Sequence, residues 1–282
     1  MKTLIVTRPA AQAAGWVQAL NAHGQEALAL PLIAIEPLAD RAPLQAAWQS
    51  LPRQALVVFV SANAAEQFFA AAPAGSGWPP STLAGATGPG TSAALRALGV
   101  PPALLVAPDA AAGRFDSEAL WLQLAGRRQD EPGAGDAASP GPGAGGTRWA
   151  GRRVLVVRGE DGRDWLADTL RAHGAVVAFL AAYRRRPPTW GAPERALLAQ
   201  AIADPGGHVW HFSSSEAVGH LRACSAGTDW SRSTALASHP RIAAAARDAG
   251  FGQVLLAPPD PAAVAAAVAR LRCGPSIESG GP

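Results

Sequence analysis

The chain has 282 residues, 49% of them hydrophobic and 16% charged, which suits two globular domains of ordinary size and excludes a disordered chain. Lys and Arg number 24 against 21 Asp and Glu, so the formal charge of +3 is too small to argue for nucleic acid by itself. Two distant cysteines, Cys224 and Cys273, show no CxxC spacing and indicate neither a disulfide framework nor a zinc site.

Arg8 and Pro9 interrupt the first apolar run after a few residues, so no signal peptide is expected. Nor does any stretch reach the roughly 18 apolar residues of a membrane span. A cytoplasmic protein is expected, without membrane or nucleic-acid partners. Nearly all basic residues are arginine, Lys2 being the only lysine, which fits GC-rich codon usage alongside abundant Ala, Gly and Pro.

In chain order, Leu4–Pro9 reads as a strand ending in Arg8, followed by a helix that stops at His23-Gly24. The apolar run Ala27–Ile35 reads as the next strand, and Pro31–Asp40 leaves it through proline. Leu56–Val60 is a strong strand, separated by Ser61-Ala62-Asn63 from a helix over Ala64–Ala71. After a loop at Ala72–Pro80 come a strand at Leu83–Ala86 and Gly88–Thr91, which opens a helix over Ser92–Leu98. A strand at Leu104–Ala107 and a helix at Phe115–Leu124 follow, with Asp116 or Ser117 at the helix start.

From Arg127 to Trp149 the composition falls to Gly, Pro, Ala, Ser and Asp, with too little apolar surface to offset ordering entropy. This stretch is expected to be a mobile surface insertion. Val154–Val157 is the next strand, Asp164 can cap a helix carrying Leu166 and Leu170, and Gly174 can end it. Val176–Tyr183 reads as a strand buried on both faces. A turn-rich arm (Pro187–Pro193), a helix (Glu194–Ala203), a strand (Val209–Phe212) and a last helix (Ala262–Leu271) precede a frayed tail, Cys273–Pro282.

The pattern is written twice. Arg8 and His23 are spaced as Arg158 and His173 are; FVSAN (Phe59–Asn63) aligns with FSSSE (Phe212–Glu216), Thr87–Gly99 with Ser238–Gly250, and Leu104–Pro108 with Val254–Pro258. The offset stays between 150 and 153 throughout, which short chance matches do not sustain. Strands alternating with helices imply parallel sheets covered on both faces.

In such sheets ligands bind at the carboxyl ends of the strands, where helix amino termini offer free N–H groups to anions. Thr7-Arg8, Ser61-Ala62-Asn63, Gly88–Thr91, Arg158-Gly159 and Ser213–Ser215 fall there. Ser61, Thr91 and Ser214 read equally well as N-caps, and their joint placement in both halves is what points to a ligand. Gly85–Gly90 matches neither GxGxxG nor the P-loop, so no nucleotide cofactor is expected. His208 and His211 stand at an odd strand separation and face opposite ways, so no metal site is expected and cap or surface roles are assigned to them. Arg184–Arg186 reads as a solvated edge. Tyr183, the only tyrosine, ends a buried strand beside these turns; a phenol, with a pKa of about 10, can donate to a departing hydroxyl, or it can simply close a core.

TRP at the start, PLIAIEPL, FVSAN, GPGT before AALRALG, VLVVRGEDGR, the Tyr183 strand and HFSSSEAV together resemble the uroporphyrinogen-III synthase family. The resemblance implies two similar parallel-sheet α/β domains, a tandem duplication with exchanged segments. A two-stranded connector (Ile33–Leu38 and Tyr183–Pro188) would join them, with the active site in the cleft between. The first domain would combine residues 1–36 and 187–275, the second 37–186, leaving a disordered tail at 276–282. The implied activity is that of a hydro-lyase: cofactor-free cyclisation and dehydration of hydroxymethylbilane, with inversion of ring D, to give uroporphyrinogen III in haem biosynthesis by a monomer. Tyr183 then matches the family's proposed acid. Thr7, Arg8, Ser61, Ala62, Asn63, Thr91, Arg158, Ser214 and Ser215 become candidate contacts for the eight substrate carboxylates, with Glu160 an alternative partner for the arginines. Where the family often has a second threonine, Ile242 follows Arg241. A two-lobed module that senses a small polyanion without chemistry would use the same fold and would not need Tyr183.

Overall fold

A computed structural model describes residues 2–109, 114–126 and 148–272. The chain divides into one unit of residues 1–34 and 186–282 and a second of residues 35–185. The first unit is built on a five-stranded sheet ordered β11 (Gln253–Leu256), β10 (Thr234–Ala237), β9 (His208–Phe212), β1 (Thr3–Val6), β2 (Ala27–Ala29), and the second on a six-stranded sheet ordered β3 (Ala34–Pro37), β8 (Val176–Arg186), β7 (Arg153–Gly159), β4 (Leu56–Phe59), β5 (Leu83–Ala86), β6 (Leu105–Val106). The chain leaves the first unit within β3 (Ala34–Pro37) and returns to it at the end of β8 (Val176–Arg186).

In the first unit β1 (Thr3–Val6) is the pivot. It pairs in parallel with β2 (Ala27–Ala29) on one side and with β9 (His208–Phe212) on the other, Thr3 opposite His208. β10 (Thr234–Ala237) and β11 (Gln253–Leu256) extend the sheet, again in parallel. The central strands are buried on both faces, which is why their sequences run apolar instead of alternating. One face holds Leu4, Val6, Val209 and Leu236 against Leu20 of α1 (Ala10–Ala22) and Val264 and Val268 of α10 (Pro261–Arg272). Elsewhere Trp210, Phe212, Trp230 and Phe251 form an aromatic cluster, Trp230 and Phe251 stacked at 5.1 Å.

The run expected as one strand, Ala27–Ile35, is broken after Ala29. Pro31 has no N–H to give a ladder, and the carbonyls around it are taken by side chains: Trp190 Nε1 donates to Pro31 O at 2.9 Å, and His220 Nδ1 lies 2.6 Å from Leu32 O.

The second sheet is parallel across β8, β7 (Arg153–Gly159), β4 (Leu56–Phe59), β5 (Leu83–Ala86) and β6 (Leu105–Val106). Its helices are α2 (Ala42–Ser50), α3 (Ala62–Phe69), α4 (Pro89–Ala97), α5 (Ser117–Ala125) and α6 (Trp165–Ala172). Both α3 and α4 begin earlier than their sequences suggested, because Ser61 and Gly88 take the N-cap positions and the next residues turn at once. Asp116 does cap α5, accepting from Ala119 N at 2.7 Å. Asp164 stands at the N-cap of α6 but makes no cap bond; its carboxylate is taken by Arg158. Gly24 and Gly174 end α1 and α6 with φ of 71° and 86°, a left-handed conformation that favours glycine.

Three further expectations are corrected. β8 is not buried on both faces, since Val176 and Phe179 in its first half are exposed. Trp149, placed with the insertion, belongs to the core of the second unit and is buried with Val154 and Leu155; residues 127–147 lie outside the described residues, as does the tail from 273. Arg184 is not simply solvated, since its Nε donates to Glu160 Oε1 at 2.6 Å.

Candidate active site

In the second unit, Tyr183 sits where three elements converge. β8 pairs with β7 in even register as far as Ala181 opposite Arg158, and then Tyr183 stands opposite Gly159. Ala182 is therefore an extra residue, a bulge of the kind that re-aims a side chain at a strand end. The Tyr183 ring packs on Gly159, and its hydroxyl lies 3.0 Å from Ser61 Oγ. Ser61 is the N-cap of α3 and accepts from Ala64 N at 3.1 Å, so its oxygen is fixed by the helix start. Tyr183 as a whole is 2% exposed.

Ala62 and Asn63 form the first turn of α3, Asn63 buried. Thr91 is the third residue of α4 and is also buried. Thr87, just before that helix, donates its hydroxyl to Val60 O at 3.1 Å, tying the ends of β4 and β5 together. Arg158 lies with its guanidinium 4.3 Å over the Phe179 ring and its charge against Asp164. The acid named for it from sequence, Glu160, is engaged by Arg184 instead.

In the first unit, Thr7 follows β1 directly, its hydroxyl donating to His211 O at 2.7 Å, and it is 1% exposed. Arg8 comes next, its guanidinium carbon 4.1 Å from the centre of the Trp16 indole and Nη1 donating to Gln12 Oε1 at 3.3 Å. No carboxylate pairs with Arg8 among the described residues, and burial lowers its pKa to about 10, so it remains a cation at neutral pH. Trp16 in turn stacks on His211 at 4.9 Å.

His211 overturns the surface or cap role expected of it. It is wholly buried, with neither ring nitrogen hydrogen-bonded among the described residues. Burial first, and the Arg8 charge second, press its pKa down to about 3. His208 is buried too, Nδ1 2.8 Å from Asp204 O. Both imidazoles lie within a strand that sequence marks only by its apolar neighbours Val209, Trp210 and Phe212, and that flanking is the one signal of their burial.

Ser214 is the N-cap of α8 (Ser215–Cys224), accepting from Glu216 N at 3.2 Å, and Ser215 begins the helix exposed. α9 (Pro240–Asp248) starts the way α4 does. Pro240 and Pro89 are first, and Ile242 and Thr91 are third and buried, while His239 Nδ1 accepts from Arg241 N at 3.1 Å where Gly88 has no side chain. No group of three His, Cys, Asp or Glu among the described residues could hold a metal, and no helix among them is long and apolar enough to cross a membrane.

Each unit thus offers open helix starts suited to acidic groups. The first adds a stacked arginine with no acid against it among the described residues, and the second a phenol hydrogen-bonded to a helix N-cap serine. The comparisons with known proteins bear on family and fold. The family model described as uroporphyrinogen-III synthase HemD matches residues 14–135 and 144–265. Uroporphyrinogen-III synthase of Escherichia coli (strain K12) is 42% identical over 52 residues, an alignment that spans 18% of this chain and only 21% of that enzyme's length. A mutant uroporphyrinogen III synthase from the extremely thermophilic bacterium Thermus thermophilus superposes with a TM-score of 0.55 at 15% identity, covering 97% of this chain and 99% of that one. The Helicobacter pylori 26695 uroporphyrinogen-III synthetase gives 0.50 at 14%, covering 97% and 100%. At these identities the structural likeness is one of fold.

Proposed function

The chain belongs to the uroporphyrinogen-III synthase family, and from that membership we propose that it closes hydroxymethylbilane to uroporphyrinogen III with loss of water. It would do so as a cofactor-free hydro-lyase, monomeric and cytoplasmic. The observation that carries the reading from family to chemistry is the Tyr183 hydroxyl held 3.0 Å from the N-cap oxygen of α3.

Tyr183 gives its proton to the terminal hydroxyl of the bilane. The C–O bond breaks, water leaves with the bonding pair, and the adjacent pyrrole nitrogen spreads the charge as an azafulvenium. The substituted carbon of ring D attacks that centre to give the spiro intermediate; rearrangement inverts the ring, and the proton lost as the pyrrole is restored balances the one donated. A positioned acid contributes roughly 10²- to 10⁴-fold. The larger contribution is positional, because the free bilane also closes without help, to the wrong isomer.

The eight carboxylates are assigned to the helix starts: the backbone at Ser61, Ala62 and Asn63 on α3, Thr91 on α4, Ser214 and Ser215 on α8. One exposed helix end is worth only about 0.3–1 kcal/mol to an anion, so a polyacid that engages several gains where a monoacid does not. Arg8 supplies a full charge with no acid against it among the described residues, and Thr7 ties the end of β1 to β9 beside it. Arg158, already neutralised by Asp164, ranks below Arg8.

Supplying freshly generated hydroxymethylbilane and separating the uroporphyrin isomers after oxidation tests this directly. Type III is expected; type I alone would leave a polyanion-binding module without chemistry.

A further inference from the structure

Gly159 stands opposite Tyr183 across the β-bulge, and its backbone does not account for the glycine. Its φ is not positive, so any residue could adopt its conformation. Its neighbours do account for it: a Cβ built there would lie 3.2 Å from both Cε2 and Cζ of Tyr183 and 3.5 Å from the hydroxyl oxygen. That is closer than side chains normally approach, and the contact falls on the phenol end of the ring, where a small rotation moves the hydroxyl most.

The other side of the phenol is equally fixed. Ser61 Oγ already accepts the Ala64 N–H, so one of its lone pairs is committed and its own hydrogen is free to point at Tyr183. In that arrangement Tyr183 accepts from Ser61 and keeps its own O–H for another acceptor. Once the phenol has given up its proton, the serine hydroxyl is in place to donate to the phenolate oxygen.

We propose that Gly159 is a positioning residue for Tyr183, its missing side chain letting the ring lie flat on β7 so that Ser61 donates to the phenol oxygen and the phenol O–H is aimed outward. This rests on the reading of Tyr183 as the proton donor. In this role Gly159 acts through the tyrosine and touches no substrate, and the Ser61 hydroxyl acts on the same phenol.

Because Tyr183 is the only tyrosine in the chain, 3-fluorotyrosine labelling yields a single ¹⁹F resonance that reports on this ring alone. Gly159→Ala is expected to move that resonance, to lower kcat about tenfold and to leave KM within about twofold, as a small misplacement of an acid does. Ser61→Gly, which keeps an acceptable N-cap but removes the hydroxyl, is expected to move the resonance too and to lower kcat by a similar factor. When either change is combined with Tyr183→Phe, kcat falls no further than with Tyr183→Phe alone. An unchanged kcat in Gly159→Ala would overturn the positioning role while leaving Tyr183 as donor. So would a Gly159→Ala loss of the same size whether or not the tyrosine has been replaced. If Tyr183→Phe itself turns over like the parent, the donor falls and the positioning role falls with it. Circular dichroism and thermal midpoint of each variant separate a lost fold from a displaced ring.

Discussion

Ser61 and Ser214 hold the same place in the two units, each the N-cap of the helix that follows a buried strand, yet only Ser61 is hydrogen-bonded to a tyrosine. Ser214 has its cap bond to Glu216 N and no second side-chain partner among the described residues. The two should therefore separate kinetically. Ser214→Gly is expected to raise KM at least about tenfold with kcat nearly unchanged, the effect of losing one hydrogen bond to a charged group. Steady-state kinetics with hydroxymethylbilane checks it, and a fall in kcat alone would move Ser214 out of substrate binding.

Tyr183→Phe is expected to lower kcat at least about 100-fold while product affinity stays within a small factor. The ring remains buried and only the bond to Ser61 is lost, so stability should fall by no more than about 1 kcal/mol. Turnover and product binding, measured on the same preparation, decide it. Undiminished turnover would strike Tyr183 from the mechanism.

Arg8 and Arg158 both stand at strand ends, but their charges are in different states. Arg8 lies on Trp16 without an acid among the described residues, and Arg158 is paired with Asp164. Removing a half-buried cation that has no counter-charge breaks no ion pair, so Arg8→Gln should raise KM about tenfold with little or no loss in thermal midpoint. Arg158→Gln should change KM little, and its ion pair, with Asp164 exposed, is worth at most about 1 kcal/mol. The opposite ranking of KM effects would show that Arg158 is the substrate contact.

His211 makes stability depend on pH. Its pKa is about 3 in the folded protein, against about 6.5 in an unfolded chain, so between those values the unfolded state binds a proton that the folded state refuses. Stability is full above about pH 6.5 and is lost as the pH falls toward 3, by up to about 1.4 kcal/mol per pH unit from this group. His211→Phe keeps a ring against Trp16 and should flatten that part of the curve. Urea denaturation of both proteins across pH 4–7 compares the slopes; equal slopes would mean His211 is not the group responsible.

The succession of strands and helices was legible because parallel strands buried on both faces leave continuous apolar runs, as at Leu56–Phe59, and because glycine marks where α1 and α6 stop. The duplication was legible for the same reason: both copies obey one pattern of burial. What escaped sequence depends on partners from elsewhere in the chain. Asp164 looks like a cap until Arg158 takes its carboxylate. His211 looks solvated until Trp16 lies on it. The Tyr183 strand reads as regular, whereas the bulge that sets the ring on Gly159 exists only in the pairing with β7. Tyrosine, serine and arginine were nameable as residue types; their hydrogen bonds were not.

The pairing of Thr3 with His208 has a consequence for biosynthesis. Residues 35–185 form their own sheet from one uninterrupted stretch and can close it as soon as that stretch has left the ribosome. β1 and β2, made first, must wait for β9, with the whole of the other unit synthesised in between. Until then the apolar Leu4-Ile5-Val6 edge has no neighbour on that side and is open to pairing with another chain.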